Sequence, residues 1–230
     1  MPHLFTARDL ALRDDESEWT AVAAALGVPR DRLLLIKQVH GVVAAVVRRG
    51  WRPPWVRPQA DIILTDDPSV AIGVRVADCA PVLLLDRRRG VVGAAHAGWR
   101  GTAAGASIAA VEALRREFGS KAADLVAAIG PCLGACCGEV GPEVLEAFRA
   151  GGATEASVAA WFSRGRDDRF QLDLERANRA QLERAGVDPS AIHATGLCTK
   201  TNRTLFHSFR ADGEAAGRMV AAIRPSGVSL

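Results

Sequence analysis

No stretch of this 230-residue chain is apolar for the roughly 20 residues that a bilayer-spanning helix needs, so a membrane role is excluded at the outset. Charge of one sign is also missing. Lys and Arg number 29 against 26 Asp and Glu, the net charge is +3, and no window sets basic residues between stacking aromatics. No nucleic-acid partner is therefore expected. The opening MPHLFTARDLALRDDESEW carries charges every few positions and lacks the apolar core of about 7–15 residues found in an export signal, which predicts a cytoplasmic protein. Five cysteines, an odd number in a chain of this length, read as reduced thiols, ligands or nucleophiles rather than a disulfide framework. Internal repeats and low-complexity linkers are absent, and the length suits one core, so residues 1–230 are read as a single domain.

What is present is a series of short apolar runs bounded by Gly, Pro, Asp or Arg. They lie at 33–39 (LLLIKQV), 42–47 (VVAAVV), 61–65 (DIILT), 70–76 (VAIGVRV), 81–86 (PVLLLD), 91–97 (VVGAAHA) and 124–130 (DLVAAIG). These predict strands of a buried sheet. Ile108, Val111, Leu114 and Phe118 recur at steps of three and four, which predicts an amphipathic helix ending at Gly119. Pro142 can open a second helix, and 172–186 (LDLERANRAQLERAG) carries a third to Gly186. A strand is expected through 192–199 (IHATGLCT) and a closing helix over 213–223 (GEAAGRMVAAI). Strands early and helices late favour an α+β fold, a layered α/β/α domain with a mixed sheet, over strict βαβ alternation. The proline-rich 48–59 (RRGWRPPWVRPQ) reads as a loop long enough to serve as a lid.

His40 (KQVHGVV), Cys79 (VADCAPVLLL) and His96 (AAHAGWRG) fall at or near the boundaries of apolar runs, hence at strand ends. Strand ends of one sheet converge in space whatever their separation in sequence. Two imidazoles and one thiolate form a three-ligand set that leaves zinc an open position, as a catalytic site requires. The spacings of 39 and 17 residues are not those of a compact ligand motif. They leave open a second reading, in which the histidines are hydrogen-bonded strand-end residues and Cys79 is a small buried hydrophobe.

KQVHG, ADCAPVLL, AAHAGWRG, IGPCLGACCGEVGPEV and FHSFRADGEAAGRM, in that order, resemble the successive signatures of the YfiH-type, laccase-domain-containing family over about residues 33–221. The resemblance implies zinc-dependent phosphorolysis of purine nucleosides to free base and ribose 1-phosphate, with adenosine deamination as a companion activity. It puts the family's zinc ligands on His40, Cys79 and His96, and a phosphate or ribose contact on Arg210. Arg8, in HLFTAR, matches the arginine of the family's opening. The Gly- and Ser-rich loop that commonly follows is replaced here by DLALRDDESEW, which puts substrate contacts from that side in doubt. Members have also been labelled polyphenol oxidases, but a multicopper oxidase calls for about ten imidazoles. This chain has five histidines.

Other residues acquire roles around the metal. Asp78, beside Cys79, is a candidate general acid or base, or an orienter of a ligand histidine, with an ordinary capping role as the alternative. Gln38 lies two residues before His40 and, on an extended segment, faces the same side, from which it can meet a purine edge. Arg100 and Gly101 are read as standing just before a helix, whose free N–H groups suit phosphate; surface ion pairing is the alternative for Arg100. Cys132, Cys136 and Cys137 follow C-x3-C-C rather than C-x2-C, which argues against a structural zinc there, and Cys198 reads as a buried strand residue.

In the mechanism these assignments imply, phosphate attacks C1′ while the departing purine is protonated. Two rivals come from other classes. One is a cysteine hydrolase acting on a peptidoglycan precursor amide, with Cys79 as nucleophile and His96 as base. The other is a binding module whose zinc is closed by a fourth protein ligand.

Overall fold

Apolar residues at successive positions of one strand need cover on both faces of a sheet, and that requirement organises the architecture. The computed structural model describes residues 1–226. The chain begins with β1 (His3–Phe5), α1 (Glu16–Ala25), β2 (Leu33–Leu35), β3 (Ala44–Val47), β4 (Ile62–Thr65), β5 (Ala71–Val76), β6 (Ala80–Asp86) and β7 (Val92–Ala97). It continues through α2 (Trp99–Ala103), α3 (Ala106–Phe118), β8 (Leu125–Ile129), β9 (Glu139–Val140), α4 (Pro142–Ala150) and α5 (Glu155–Trp161). The last part adds β10 (Phe162–Arg164), β11 (Phe170–Leu172), α6 (Leu174–Arg184), β12 (Ile192–Ala194), α7 (Phe209–Asp212) and β13 (Met219–Ile223).

A six-stranded mixed sheet has the order β12-β8-β6-β7-β4-β3, a four-stranded sheet the order β1-β13-β5-β2, and a small third sheet the order β10-β11-β9. In β4, Ile62 and Leu64 share a core with Ala110, Val111 and Leu114 of α3 and Leu182 of α6. Ile63, one step out of phase, packs instead with Ile72, Val74 and Ala221 of the four-stranded sheet. The far face of that sheet, with Leu33, Leu35, Val220 and Ala222, is covered by Trp19, Val22 and Ala23 of α1. The α+β class and the mixed sheet stand as expected, and the layers read α/β/β/α because two sheets stack on each other between the helices. Truncating a side chain as fully buried as Leu64 to alanine costs roughly 2–5 kcal/mol.

The helix over 106–118 ends at Gly119, whose φ of 66° supplies the left-handed cap. Pro142 opens α4, and Asp173 caps α6 by accepting from the Arg176 N–H. The closing helix expected over 213–223 is instead a short 3-10 turn, Gly213–Ala215, followed by β13, whose five residues are all buried between β1 and β5. A short run of Met, Val, Ala and Ile fits helix or strand, and the empty sheet position decides it. Only Ile192–Ala194 of the strand expected through 192–199 is regular. The stretch 48–59 is a loop, fastened where the Asp66 carboxylate accepts from the Arg49 N–H and Asp67 from those of Gly50 and Trp51.

Candidate metal centre and its cleft

Strand register assembles the site. β6 and β7 are antiparallel with Pro81 opposite His96, so Cys79, just before β6, lies beside the end of β7. On the other side of β7, Ile62 pairs with Ala95, which brings Asp61, at the head of β4, next to His96. The His96 N–H donates to the Asp61 carbonyl at 2.8 Å. The Asp61 carboxylate in turn fixes the segment carrying His40, accepting N–H bonds from Val39, His40 and Gly41 at 3.2, 2.9 and 2.7 Å. His40 itself has a φ of 61°, a left-handed conformation rare for a side-chain-bearing residue and held here by those bonds.

The result is that one donor atom each from His40, Cys79 and His96 lie within 4.8 Å of one another. The two imidazoles meet edge to face, with ring centroids 4.8 Å apart. His96 is buried and His40 is exposed, so the set is open on one side. Nδ1 of His96 is hydrogen-bonded to Asp61 Oδ1 at 2.8 Å, which frees Nε2 for a metal and gives the ligand a carboxylate partner. Gly98 completes the cradle: a Cβ there would lie 2.7 Å from Cys79 Sγ and 3.2 Å from the His40 ring.

Electrostatics suit deprotonated sulfur. Burial opposes ionisation of Cys79, yet the His40 and His96 imidazoles overcome it and hold the thiol at about 7. Burial likewise works against protonation of His96, but the Asp61 carboxylate and the Cys79 sulfur outweigh it and raise the imidazole to about 9. The Asp61 carboxyl is held below its usual range against burial by bonds from His96, Gly41 and Val39. Two imidazoles and a depressed thiol, one imidazole already oriented by a carboxylate, fit a metal ion with an open coordination position.

The centre opens into a cleft of about 900 Å³. Among the described residues six cationic ones border it, Lys37, Arg57, Arg75, Arg100, Arg210 and Arg218, against a single acid, Asp78, and the Arg75 guanidinium lies 5.8 Å from the centre of the Trp19 ring. Burial, together with the charges of Arg218 and Arg57, pushes the Arg75 guanidinium below its ordinary range, and its buried Nε has no hydrogen-bond partner. Trp99 and Phe209 add aromatic surface.

Of the residues singled out from sequence, His40, Cys79, His96, Gln38, Asp78, Arg100 and Arg210 all reach this cleft. Arg8 does not border it, because its Nη1 donates to Asp212 Oδ2 at 2.9 Å and to the carbonyls of Arg203 and Phe206. Gln38 clamps the backbone of Arg75, its Nε2 donating to the carbonyl at 2.7 Å and its Oε1 accepting from the N–H at 2.9 Å. Asp78 has a φ of 86° and ties three segments together. Its oxygens accept from the Thr199 hydroxyl at 2.5 Å and the Arg210 N–H at 2.6 Å, and its carbonyl accepts from the Leu133 N–H at 2.8 Å. Arg210 also donates through Nη1 to the Glu139 carbonyl at 2.8 Å.

Arg100 and Gly101 lie inside α2 rather than before a helix: Gly98 is the N-cap, and the longer α3 starts only after Gly105, whose φ is 86°. A helix of five residues has little dipole to offer an anion, so Arg100 acts through its own charge, stacked 4.2 Å from the Trp99 ring. The position of α2 is set from behind, where Asn178 Nδ2 donates to the Thr102 hydroxyl at 3.0 Å and Gln181 Nε2 to the Thr102 carbonyl at 2.6 Å. Asp61 and Arg75 escaped the sequence reading. An acid heading an apolar run, as in DIILT, was the available signal for the first; a lone arginine in VAIGVRV was the signal for the second.

Among the described residues no helix is long and apolar enough to cross a membrane. A protein of Deinococcus radiodurans named purine nucleoside phosphorylase is 37% identical, the match covering 97% of this chain and 88% of that one. A protein of an unknown prokaryotic organism named adenosine deaminase RL5 is 34% identical over 94% of this chain and 83% of its own. The crystal structure of Bacillus licheniformis hypothetical protein YfiH superposes with a TM-score of 0.88 at 29% identity, covering 97% of this chain and 92% of that one. Residues 13–225 match the family described as multi-copper polyphenol oxidoreductase laccase, and the chain belongs to that family.

Proposed function

We propose that residues 1–230 form a single catalytic domain, working in the cytoplasm, that cleaves purine nucleosides with phosphate in a zinc-dependent reaction. The products are free base and ribose 1-phosphate. The observation that carries this reading is the charge of the cleft: six cations against one acid, beside a His2Cys set, favour an anionic second substrate. All five cysteines are free thiols, as suits a reducing compartment. The names borne by the relatives, purine nucleoside phosphorylase and adenosine deaminase, support a nucleoside as the first substrate.

His40, Cys79 and His96 would hold the zinc, which supplies a Lewis acid at the floor of the cleft. Asp61 keeps His96 in the tautomer that presents Nε2. Arg75, whose Nε lacks a partner, is assigned to phosphate together with Arg218 and Arg57, and Arg210 and Arg100 extend the anion-binding surface. Trp99 and Phe209 offer faces for a purine to stack on. Gln38 and Asp78 position the site: Gln38 fixes the backbone of Arg75, and Asp78 fixes that of Arg210. Holding phosphate and nucleoside in line removes most of the entropic cost of their encounter. Adenosine deamination is retained as a companion activity.

The test is adenosine turnover with and without phosphate. Adenine and ribose 1-phosphate should appear only with phosphate present, and adenine release at an equal rate after phosphate is rigorously removed would make the reaction a hydrolysis. One observation favours a second reading: Cys79, His96 and Asp61 also form a thiol, imidazole and carboxylate chain of the kind used by cysteine hydrolases, such as one acting on a peptidoglycan precursor amide. A thioester trapped on Cys79 in metal-free protein would decide for it.

A further inference from the structure

Outside the His40, Cys79 and His96 centre, three further sulfurs converge. Cys136, Cys137 and Cys198 each offer Sγ within 4.8 Å of the others. Sequence spacing pointed to Cys132 as the third member of the C-x3-C-C group, but the fold substitutes Cys198, which is 61 residues beyond Cys137. The substitution has a backbone cause. Cys132 and Cys198 form an isolated parallel bridge, with the Thr199 N–H donating to the Cys132 carbonyl at 2.9 Å, and this carries Cys198 under the turn that follows. That turn is closed by the Cys137 N–H on the Gly134 carbonyl at 3.0 Å, so the adjacent Cys136 and Cys137 escape the opposite-facing arrangement of a strand. Gly134 leaves room for it: a Cβ there would lie 3.1 Å from Cys198 Cβ and 3.6 Å from the sulfurs of both Cys136 and Cys198.

We propose that Cys136, Cys137 and Cys198 form a second metal site, an all-thiolate one, for a soft closed-shell cation, Cu+ or Zn2+. The donor set contains sulfur only, with no imidazole or carboxylate, and thiolates select such ions over Mg2+, Ca2+ or Mn2+. An ion about 2.3 Å from three sulfurs sets them about 4 Å apart, compatible with three sulfurs that all lie within 4.8 Å of one another. Cys136 is exposed, Cys137 half-buried and Cys198 buried, which gives an ion a way in from solvent and an anchored donor at the far side. The site adjoins the cleft, since Leu133 and Gly138, on either side of the cysteine turn, line it and the Cys137 carbonyl accepts from Arg210.

The experiment loads the full chain under reductant with Zn2+ in one arm and Cu+ in the other, removes unbound ion and measures metal per chain. Wild type should hold two equivalents in at least one arm and C136S/C137S one, with the arm that loses an equivalent naming the ion. In Cys79→Ala, where the first centre is weakened, the retained ion should show a shell of three sulfurs with no imidazole nitrogen by X-ray absorption, and any further ligand a single water oxygen. Should the double variant fail to fold, Cys136→Ser alone is read by alkylation: loading protects Cys137 in wild type and leaves it reactive in the variant. Equal metal content of wild type and double variant in both arms, or imidazole nitrogen in the shell of the ion retained by Cys79→Ala, overturns the proposal. The readout is metal content, so it stands or falls apart from phosphorolysis.

Discussion

Asp61 and His96 sit side by side on neighbouring strands, and the carboxylate of the first holds Nδ1 of the second at 2.8 Å while also accepting the N–H groups of residues 39 to 41. One buried carboxylate therefore orients one candidate metal ligand and shapes the loop that carries another. Asp61→Asn should weaken metal binding about 10- to 100-fold, the usual effect of losing a carboxylate behind a ligand histidine. Competition with a chromophoric chelator measures it, and an unchanged affinity would leave Asp61 a purely architectural role.

The Cys79 thiol gives a pH signature. Its value of about 7 lies below the ordinary thiol range, so in metal-free protein alkylation should accelerate as pH rises through about 7 and slow below it. Zinc should suppress labelling across that range. Cys79→Ala should lose zinc and turnover together. Cys79→Asp, which keeps a zinc-competent donor but no thiol, should retain some metal-dependent turnover; full zinc occupancy with no turnover in that variant would point to the hydrolase reading.

Gly98→Ala tests the cradle. Its φ of −70° is ordinary, so the effect is steric, from a methyl group 2.7 Å from Cys79 Sγ. Metal content should fall sharply while the melting temperature of the metal-free protein changes little, and normal metal content in a folded variant would show that the site has slack.

Arg75→Met replaces a half-buried guanidinium by an uncharged, unbranched side chain. The KM for phosphate should rise about 10- to 100-fold, the equivalent of one charge-assisted hydrogen bond, while the KM for nucleoside moves far less. Equal increases for both substrates would place Arg75 outside the phosphate site.

Acid stability should depend on Asp67. Burial opposes its ionisation, but bonds from Ser69, Gly50 and Trp51 hold its carboxyl below the usual range. A carboxyl lowered on folding stabilises above its unfolded pKa, near 4, and that contribution is lost as pH falls through the lower folded value. Asp67→Ala should cost about 1–3 kcal/mol at neutral pH, and less in acid, read by denaturant unfolding at pH 7 and pH 3.

The three candidate metal donors could be picked out in the sequence because each lies at or near the end of an apolar run, and the family resemblance singled them out as a set. Their partner was not picked out. Asp61 is 35 residues from His96, and only the pairing of β4 with β7 makes them neighbours. The cationic cleft was hidden for the same reason: Arg57, Arg75 and Arg218 come from a loop, a strand and the lead-in to another strand, each an isolated charge along the chain. β13 was mistaken for helix because MVAAI has no periodicity of its own. The alanine-rich α1 went unseen although Asp15 supplies its cap, accepting from the Ser17 N–H.

Asp78 gathers Leu133, Thr199 and Arg210 around one residue, and this sets an order of assembly. By the time His96 has left the ribosome, every donor of the first metal centre and its supporting carboxylate are in the growing chain. Two of the contacts that close the cleft, from Thr199 and Arg210, wait for residues more than a hundred positions later, and loops of that length are slow to close. The candidate metal donors precede the residues that wall the cleft, so the chain holds its donor set before there is a chamber around it.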